Sequence, residues 1–345
     1  MSASELIDTA RQLVHAGKGL LAMDESIGTC NRRFAALGIA QTEEQRRAWR
    51  ELIVTTPDLS ASISGAILCD ETIRQKTQAG VPFIEVLTAA GIITGIKVDA
   101  GARPLAGWPG EKITEGLDGL RERLAAYASM GARFAKWRAV ITLDDSLPSR
   151  ACIEANAQAL ARYAALCQEA GIVPIVEPEV LMTGSHTLER CYEITEQMLH
   201  CVFNHLHTQD VMLEGIILKP NMVLPGLSCP TQNHVNEVAA ATVKCFLRAV
   251  PAAVAGIAFL SGGQSAQLAS AHLNAINVLV NSPESRAPWP LVFSFSRAIL
   301  QPALESWQAK QARADVTSAQ RVLRHRAGCN HAALRGEYTA DMENS

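Results

Sequence analysis

The sequence predicts an α/β fold, a single (β/α)8 TIM barrel, on three observations. Eight short apolar runs recur along the chain, helix-forming stretches fill most of the intervals, and polar residues collect where the runs end. Short continuous apolar runs suit parallel strands covered on both faces. Alternation of such runs with helices is the pattern of a barrel or a doubly wound sheet. The doubly wound alternative would add a second domain, but no Ser/Gly/Pro-rich linker divides the chain. The expected barrel spans residues 1–327. From Gly328 the apolar periodicity fades, and residues 328–345 are expected as a flexible C-terminal tail.

The strands are expected at Leu20–Met23, Ser64–Cys69, Ile92–Val98, Arg133–Arg138, Ile172–Glu177, Gly215–Lys219, Gly256–Leu260 and Leu291–Phe295. Asp24 follows the first and Asp70 the second. Lys97 and Asp99 flank the end of the third, Lys136 and Arg138 that of the fourth, and Glu177 and Glu179 that of the fifth. Lys219 ends the sixth, Ser261 follows the seventh, and Ser294 and Arg297 surround the end of the eighth. In a barrel those ends share one rim, where active sites are built. Pairs spaced i, i+2 point the same way from a strand. The clearest helix is Ser149–Ala170, rich in Ala and Leu and stopped by Gly171. Another is Val235–Ala249, before Pro251. Asn281–Pro290, with three prolines, reads as a loop.

Composition narrows the function. A chain of 345 residues, 48% hydrophobic and 19% charged, builds a large core and is not disordered. Its net charge of −3 gives no basic field for nucleic acid or acidic membranes. An anionic substrate therefore needs a local cationic pocket. The start lacks a secretory h-region, and no apolar run is long enough to span a bilayer. Nine cysteines without a C-x-x-C pair read as free thiols in a reducing cytoplasm.

Lys219 is the sharpest chemical feature. Ile216, Ile217 and Leu218 precede it and Pro220 follows. Burial penalises an ammonium and lowers its pKa, and a neighbouring cation such as Lys136 adds to this. Both free the amine to attack a carbonyl. Glu177 and Glu179 offer a proton-transfer group and a charge partner, without a sequence basis for choosing between them. Leu260–Ser265 is a strand-to-helix turn whose glycines let backbone N–H groups approach a phosphate, and Arg297 adds a bidentate contact. Asp24–Thr29 is a second hydroxyl-bearing turn. Arg32 and Arg33 beyond it either bind a second phosphate or sit as helix charges. His200, His205 and His207 lack an H-E-x-x-H pattern and an evident third ligand, so they read as a surface helix, with no metal expected.

Seven motifs, in order, resemble class I fructose-bisphosphate aldolase. They are Gly-Lys-Gly-Leu-Leu-Ala-Met-Asp-Glu-Ser, Gly-Ile-Lys-Val-Asp, Phe-Ala-Lys-Trp-Arg, Ile-Val-Glu-Pro-Glu, Leu-Lys-Pro-Asn-Met-Val, Phe-Leu-Ser-Gly-Gly-Gln-Ser and Phe-Ser-Phe-Ser-Arg-Ala. The resemblance implies a metal-independent cytoplasmic homotetramer of glycolysis and gluconeogenesis. Its substrate is a phosphorylated sugar: fructose 1,6-bisphosphate is cleaved reversibly to dihydroxyacetone phosphate and glyceraldehyde 3-phosphate. It needs no cofactor beyond a covalent imine on Lys219. By the same resemblance Glu177 is the general acid/base and Glu179 its charge partner, while Asp24 and Lys136 assist carbon–carbon cleavage. Ser261, Gly262, Gly263, Ser294 and Arg297 hold the ketone-end phosphate. Ser26, Thr29, Arg33 and Lys97 hold the other, and Arg138 supports the substrate region.

Two departures from the family pattern carry expectations. Ser296 stands where the family has glycine, so its Cβ is expected to restrict backbone approach or disfavour positive φ. The chain stops at Ser345, whereas animal members continue to a tyrosine that assists enamine protonation, so that step is expected to differ. A related sugar phosphate, as in transaldolase-like enzymes, and a non-enzymatic binding role are the rival readings. A metal-dependent aldolase is disfavoured by the missing ligand cluster.

Overall fold

The computed structural model describes residues 2–15, 17–308 and 316–344. Its strands are β1 (Gly19–Ala22), β2 (Ile63–Leu68), β3 (Ile93–Lys97), β4 (Gly101–Pro104), β5 (Lys112–Glu115), β6 (Phe134–Ile141), β7 (Val173–Val180), β8 (Ile217–Leu218), β9 (Gly256–Phe259) and β10 (Leu291–Phe295). Eight of them close into a parallel barrel in the order β1-β10-β9-β8-β7-β6-β3-β2. The expected (β/α)8 barrel is the observed one, and each expected strand overlaps a barrel strand.

Small residues let the barrel close around large ones. A Cβ on Gly95 of β3 would overlap the Phe134 ring of β6, and one on Gly19 would overlap Phe293 of β10. The rings therefore fill the interior where neighbouring strands carry no side chain. The helix Ala3–Val14 covers the N-terminal end. Ser2 and Glu5 form its capping box. Leu13 and Val14 pack against Gly65 and Gly256, and the Leu13 carbonyl accepts from Ser64 Oγ at 2.6 Å. With that end closed, the opposite, C-terminal rim is the open one.

Three expectations are corrected. β8 is shorter than Gly215–Lys219 because Gly215 completes a 3-10 turn, Leu213–Gly215; Lys219 N still donates to the Val176 carbonyl at 2.8 Å. The antiparallel β4–β5 hairpin was not foreseen, since its residues are largely exposed and lack an apolar run. Most importantly, Gly328 does not begin a tail. The helix Val316–Leu334 runs through it and buries Ala327, Cys329, Asn330, Ala333 and Leu334. Beyond it, Tyr338 N donates to Asn274 Oδ1 at 2.9 Å and Arg326 pairs with Glu343 at 2.5 Å. Small and amide residues on the buried face hid this helix from a periodicity search.

Candidate active site

A cavity of about 870 Å³ opens on the C-terminal rim. Most of the polar residues expected at strand ends line it. Four buried charged groups form its floor. Lys219 sits just past β8 with its Nζ 3.3 Å from Glu177 Oε1 on β7. The other oxygen of Glu177 lies 3.2 Å from Lys136 Nζ on β6, yet it makes no hydrogen bond. Lys136 Nζ is also 2.7 Å from Asp24 Oδ2, beyond β1. Each of the four is at most 7% exposed, so charge here is tolerated only because it is mutually compensated.

The balance of these charges differs between the two lysines. Burial lowers the pKa of Lys219, Glu177 raises it, and Lys136 lowers it again; the result lies below the ordinary lysine value. Burial also opposes the charge on Lys136, but Asp24, Glu177 and Asp99 prevail, and its pKa is raised. One lysine is thus poised to become a neutral amine while its neighbour stays cationic. Glu177 is pushed up by burial but held below the usual carboxylate range by Lys136, Lys219 and Arg138. In Asp24 the same contest, burial against Lys136 and Lys219, ends at about 2.

Glu179 takes a separate partner. It pairs with Arg138 Nε from the adjacent strand, and the Arg138 amide donates to Asp99 Oδ2 at 3.2 Å. The i, i+2 spacing of Lys136 with Arg138 and of Glu177 with Glu179 keeps all four on the cavity side.

Two polar concavities flank the floor. In the first, Ser261, Gly262 and Gly263 form the turn after β9. The φ values of +60° and +107° at the two glycines are ones that side chains rarely adopt. A Cβ on Gly263 would lie 3.4 Å from the Arg297 guanidinium. Gln264 Nε2 and the Gln264 amide both donate to the Ser261 carbonyl at 3.1 Å, and His272 Nδ1 lies 2.6 Å from Gln264 Oε1. Ser294 is 1% exposed and its Oγ has no partner. Beside it the helix Arg297–Gln308 begins, and a helix N-terminus favours an anion. In the second concavity, Ser26 caps the helix Ile27–Ala36 by accepting from Thr29 N at 3.3 Å. Arg33 of that helix is held by Glu25 and by Gln301, whose Oε1 is 2.8 Å from its NH2.

A family model described as fructose-bisphosphate aldolase class-I matches residues 5–345. The chain is 56% identical over 338 residues to a probable fructose-bisphosphate aldolase class 1 of Xanthomonas axonopodis pv. citri, covering 98% of this chain and 99% of that one. The chain belongs to the class-I fructose-bisphosphate aldolase family. Chicken aldolase B is 48% identical over 334 residues, covering 96% of this chain and 90% of that relative. A solved structure of the Plasmodium falciparum aldolase, in complex with TRAP and a small-molecule inhibitor, superimposes with a TM-score of 0.94. It is 45% identical and covers 98% of this chain and 96% of that one. This aldolase is a carbon–carbon lyase, and its class acts through a lysine imine rather than a metal.

The aldolase fold brings together most of the expected site residues around one cavity, Lys97 among them, and revises the expectation for Ser296. Lys97 does not join the Ser26–Thr29–Arg33 group through a hydrogen bond. Its Nζ donates to Asp99 Oδ1 at 2.5 Å and to the Asp99 carbonyl at 2.8 Å. Ser296 does not adopt positive φ; its carbonyl accepts from Leu300 N at 2.8 Å at the start of the helix. A backbone of that kind needs no glycine, so the expected strain does not arise. Sequence reading missed Glu25, Gln301 and the Gln264–His272 pair. Gln301 was recoverable: it lies four residues after Arg297, on one helix face.

The depressed Asp24 pKa makes an acid-stability prediction for the aldolase. A folded value of about 2, against an ordinary 3.8, contributes stability that is complete above the ordinary value and lost as pH falls toward 2. The loss is about 2 kcal/mol. Urea unfolding should show it in the wild type, while Asp24→Asn should have that much less acid dependence.

Proposed function

We propose that Lys219 is the nucleophile of this aldolase and that Glu177 moves the protons its imine chemistry requires. The carrying observation is the buried group Lys219–Glu177–Lys136–Asp24. Neutral Lys219 attacks the C2 carbonyl of fructose 1,6-bisphosphate. The carbinolamine oxygen leaves as water after protonation by Glu177, which takes up the ammonium proton that Lys219 releases across their 3.3 Å contact. The resulting iminium draws the electrons of the C3–C4 bond as the C4 hydroxyl passes its proton to the Glu177 carboxylate, ionised again after the dehydration. Glyceraldehyde 3-phosphate departs, and an enamine of dihydroxyacetone phosphate remains on Lys219. Protonation at C3 and attack by water on the iminium then release the second product and restore the amine.

In this reading Lys136, kept cationic by Asp24 and Glu177, stabilises negative charge on the sugar hydroxyls. Glu179 fixes Arg138 at the cavity wall. Ser261, Gly262, Gly263, Ser294 and Arg297 hold the ketone-end phosphate; Ser26, Thr29 and Arg33 hold the other. Lys97 acts from the Asp99 side, adding positive charge near Asp24. No cofactor takes part. The reading also makes the enzyme cytoplasmic, supported by its free cysteines and by a relative named as cytosolic in Arabidopsis thaliana; the homotetramer rests on the family resemblance alone.

Comparing two substrates tests the phosphate assignments. Arg33→Ala should lower kcat/KM for fructose 1,6-bisphosphate by roughly 10- to 100-fold, the worth of one charge-assisted hydrogen bond or two. It should leave fructose 1-phosphate nearly unchanged. Equal losses on both substrates would remove Arg33 from the second phosphate site.

A further inference from the structure

The helix carrying His200, His205 and His207 does not present a histidine pair to a metal, but it presents something else. Cys201 and His205 are four residues apart on the helix Leu188–Thr208, a spacing that places them on one face. The neighbouring helix Arg150–Glu169 brings Glu154 against that face, with Glu154 Oε2 2.9 Å from His205 Nε2. A carboxylate oxygen, an imidazole nitrogen and the Cys201 sulfur all lie within 4.8 Å of one another. Among the described residues this is the one such grouping of three potential ligands. None of the three lines the catalytic cavity.

We propose that Glu154, Cys201 and His205 form a binding site for one borderline divalent cation of the zinc class, bridging the two helices. The donor set selects the ion. Thiolate and imidazole suit zinc or cobalt, whereas magnesium and calcium require a shell of oxygens. Tetrahedral zinc with bonds of about 2.0–2.3 Å separates its ligands by roughly 3.3–3.8 Å. The three groups reach that spacing by side-chain rotation of an ångström or less. Arg150 approaches the opposite oxygen of Glu154, at 3.7 Å, and so leaves Oε2 for the metal. All three residues are partly exposed, giving the ion an entry path and a place for a water as fourth ligand. Cys201 is also the one cysteine of nine that is not buried. On binding, the Cys201 S–H bond breaks, the sulfur–metal bond forms, and the proton passes to solvent.

The site clips together the helices that follow β6 and β7, the strands carrying Lys136, Arg138, Glu177 and Glu179. Occupancy should therefore stabilise the fold by mass action without entering the reaction.

Cobalt(II), titrated into the full chain under reducing conditions, is the probe. The expected result is a thiolate-to-cobalt charge-transfer absorption that saturates at one ion per chain and is displaced by zinc. Cys201→Ser should abolish it while leaving fructose 1,6-bisphosphate cleavage at the wild-type rate. His205→Gln and Glu154→Gln should each weaken cobalt binding at least about tenfold. Absence of the band at saturating cobalt would overturn the proposal. So would a band that survives Cys201→Ser, which would assign the ion to another thiol.

Discussion

Lys219→Ala is expected to lower kcat/KM for fructose 1,6-bisphosphate by at least about 10⁴-fold, the scale on which loss of a covalent nucleophile is felt. Without the amine there is no iminium, so the C3–C4 electrons have nowhere to go. The fold should survive. Lys219 is buried, so its removal deletes a costly charge, and Glu177 keeps Lys136 at 3.2 Å as its counter-ion. Steady-state kinetics beside a thermal melt separates the two effects. An intact fold with activity within tenfold of wild type would be incompatible with an imine at this residue.

Glu177→Gln is expected to lower kcat by roughly 10²- to 10⁴-fold, the usual range for losing a general acid–base group. The pH profile reports a second role of Glu177, support of the charge on Lys219. Burial lowers the Lys219 pKa and the Glu177 carboxylate partly restores it. Removing that negative charge drops the lysine pKa further, so more of the amine is neutral at a given pH. The acid limb of activity, which rises as Lys219 deprotonates, should shift to lower pH even as the maximum rate collapses. A slower enzyme with an unmoved acid limb would mean that Glu177 does not hold the charge of Lys219.

What the sequence made legible depended on how local each feature is. Apolar runs ending in charged residues placed Asp24, Lys136, Glu177 and Lys219 on one rim, because a parallel barrel aligns strand ends. The assignment of partners was not legible. Glu177 and Glu179 are two residues apart on one strand, yet one bridges two lysines and the other pairs with Arg138. That division is set by β6 and β8 on either side, which no spacing within β7 reveals. Lys97 shows the same limit: its charge was evident, but its turn toward Asp99 was not. Gly328–Leu334 was misread for a different reason. Alanine and asparagine bury well against a neighbouring helix but do not produce an apolar stripe.

The mechanism turns on a covalent bond between Lys219 and the substrate ketone. Sodium borohydride reduction of the enzyme with dihydroxyacetone phosphate, followed by peptide mapping, tests it most directly. The expected result is one stable adduct, on the peptide containing Leu218-Lys219-Pro220, and its loss in Lys219→Ala. An adduct on Lys136 or Lys97, or one that persists in Lys219→Ala, would contradict it.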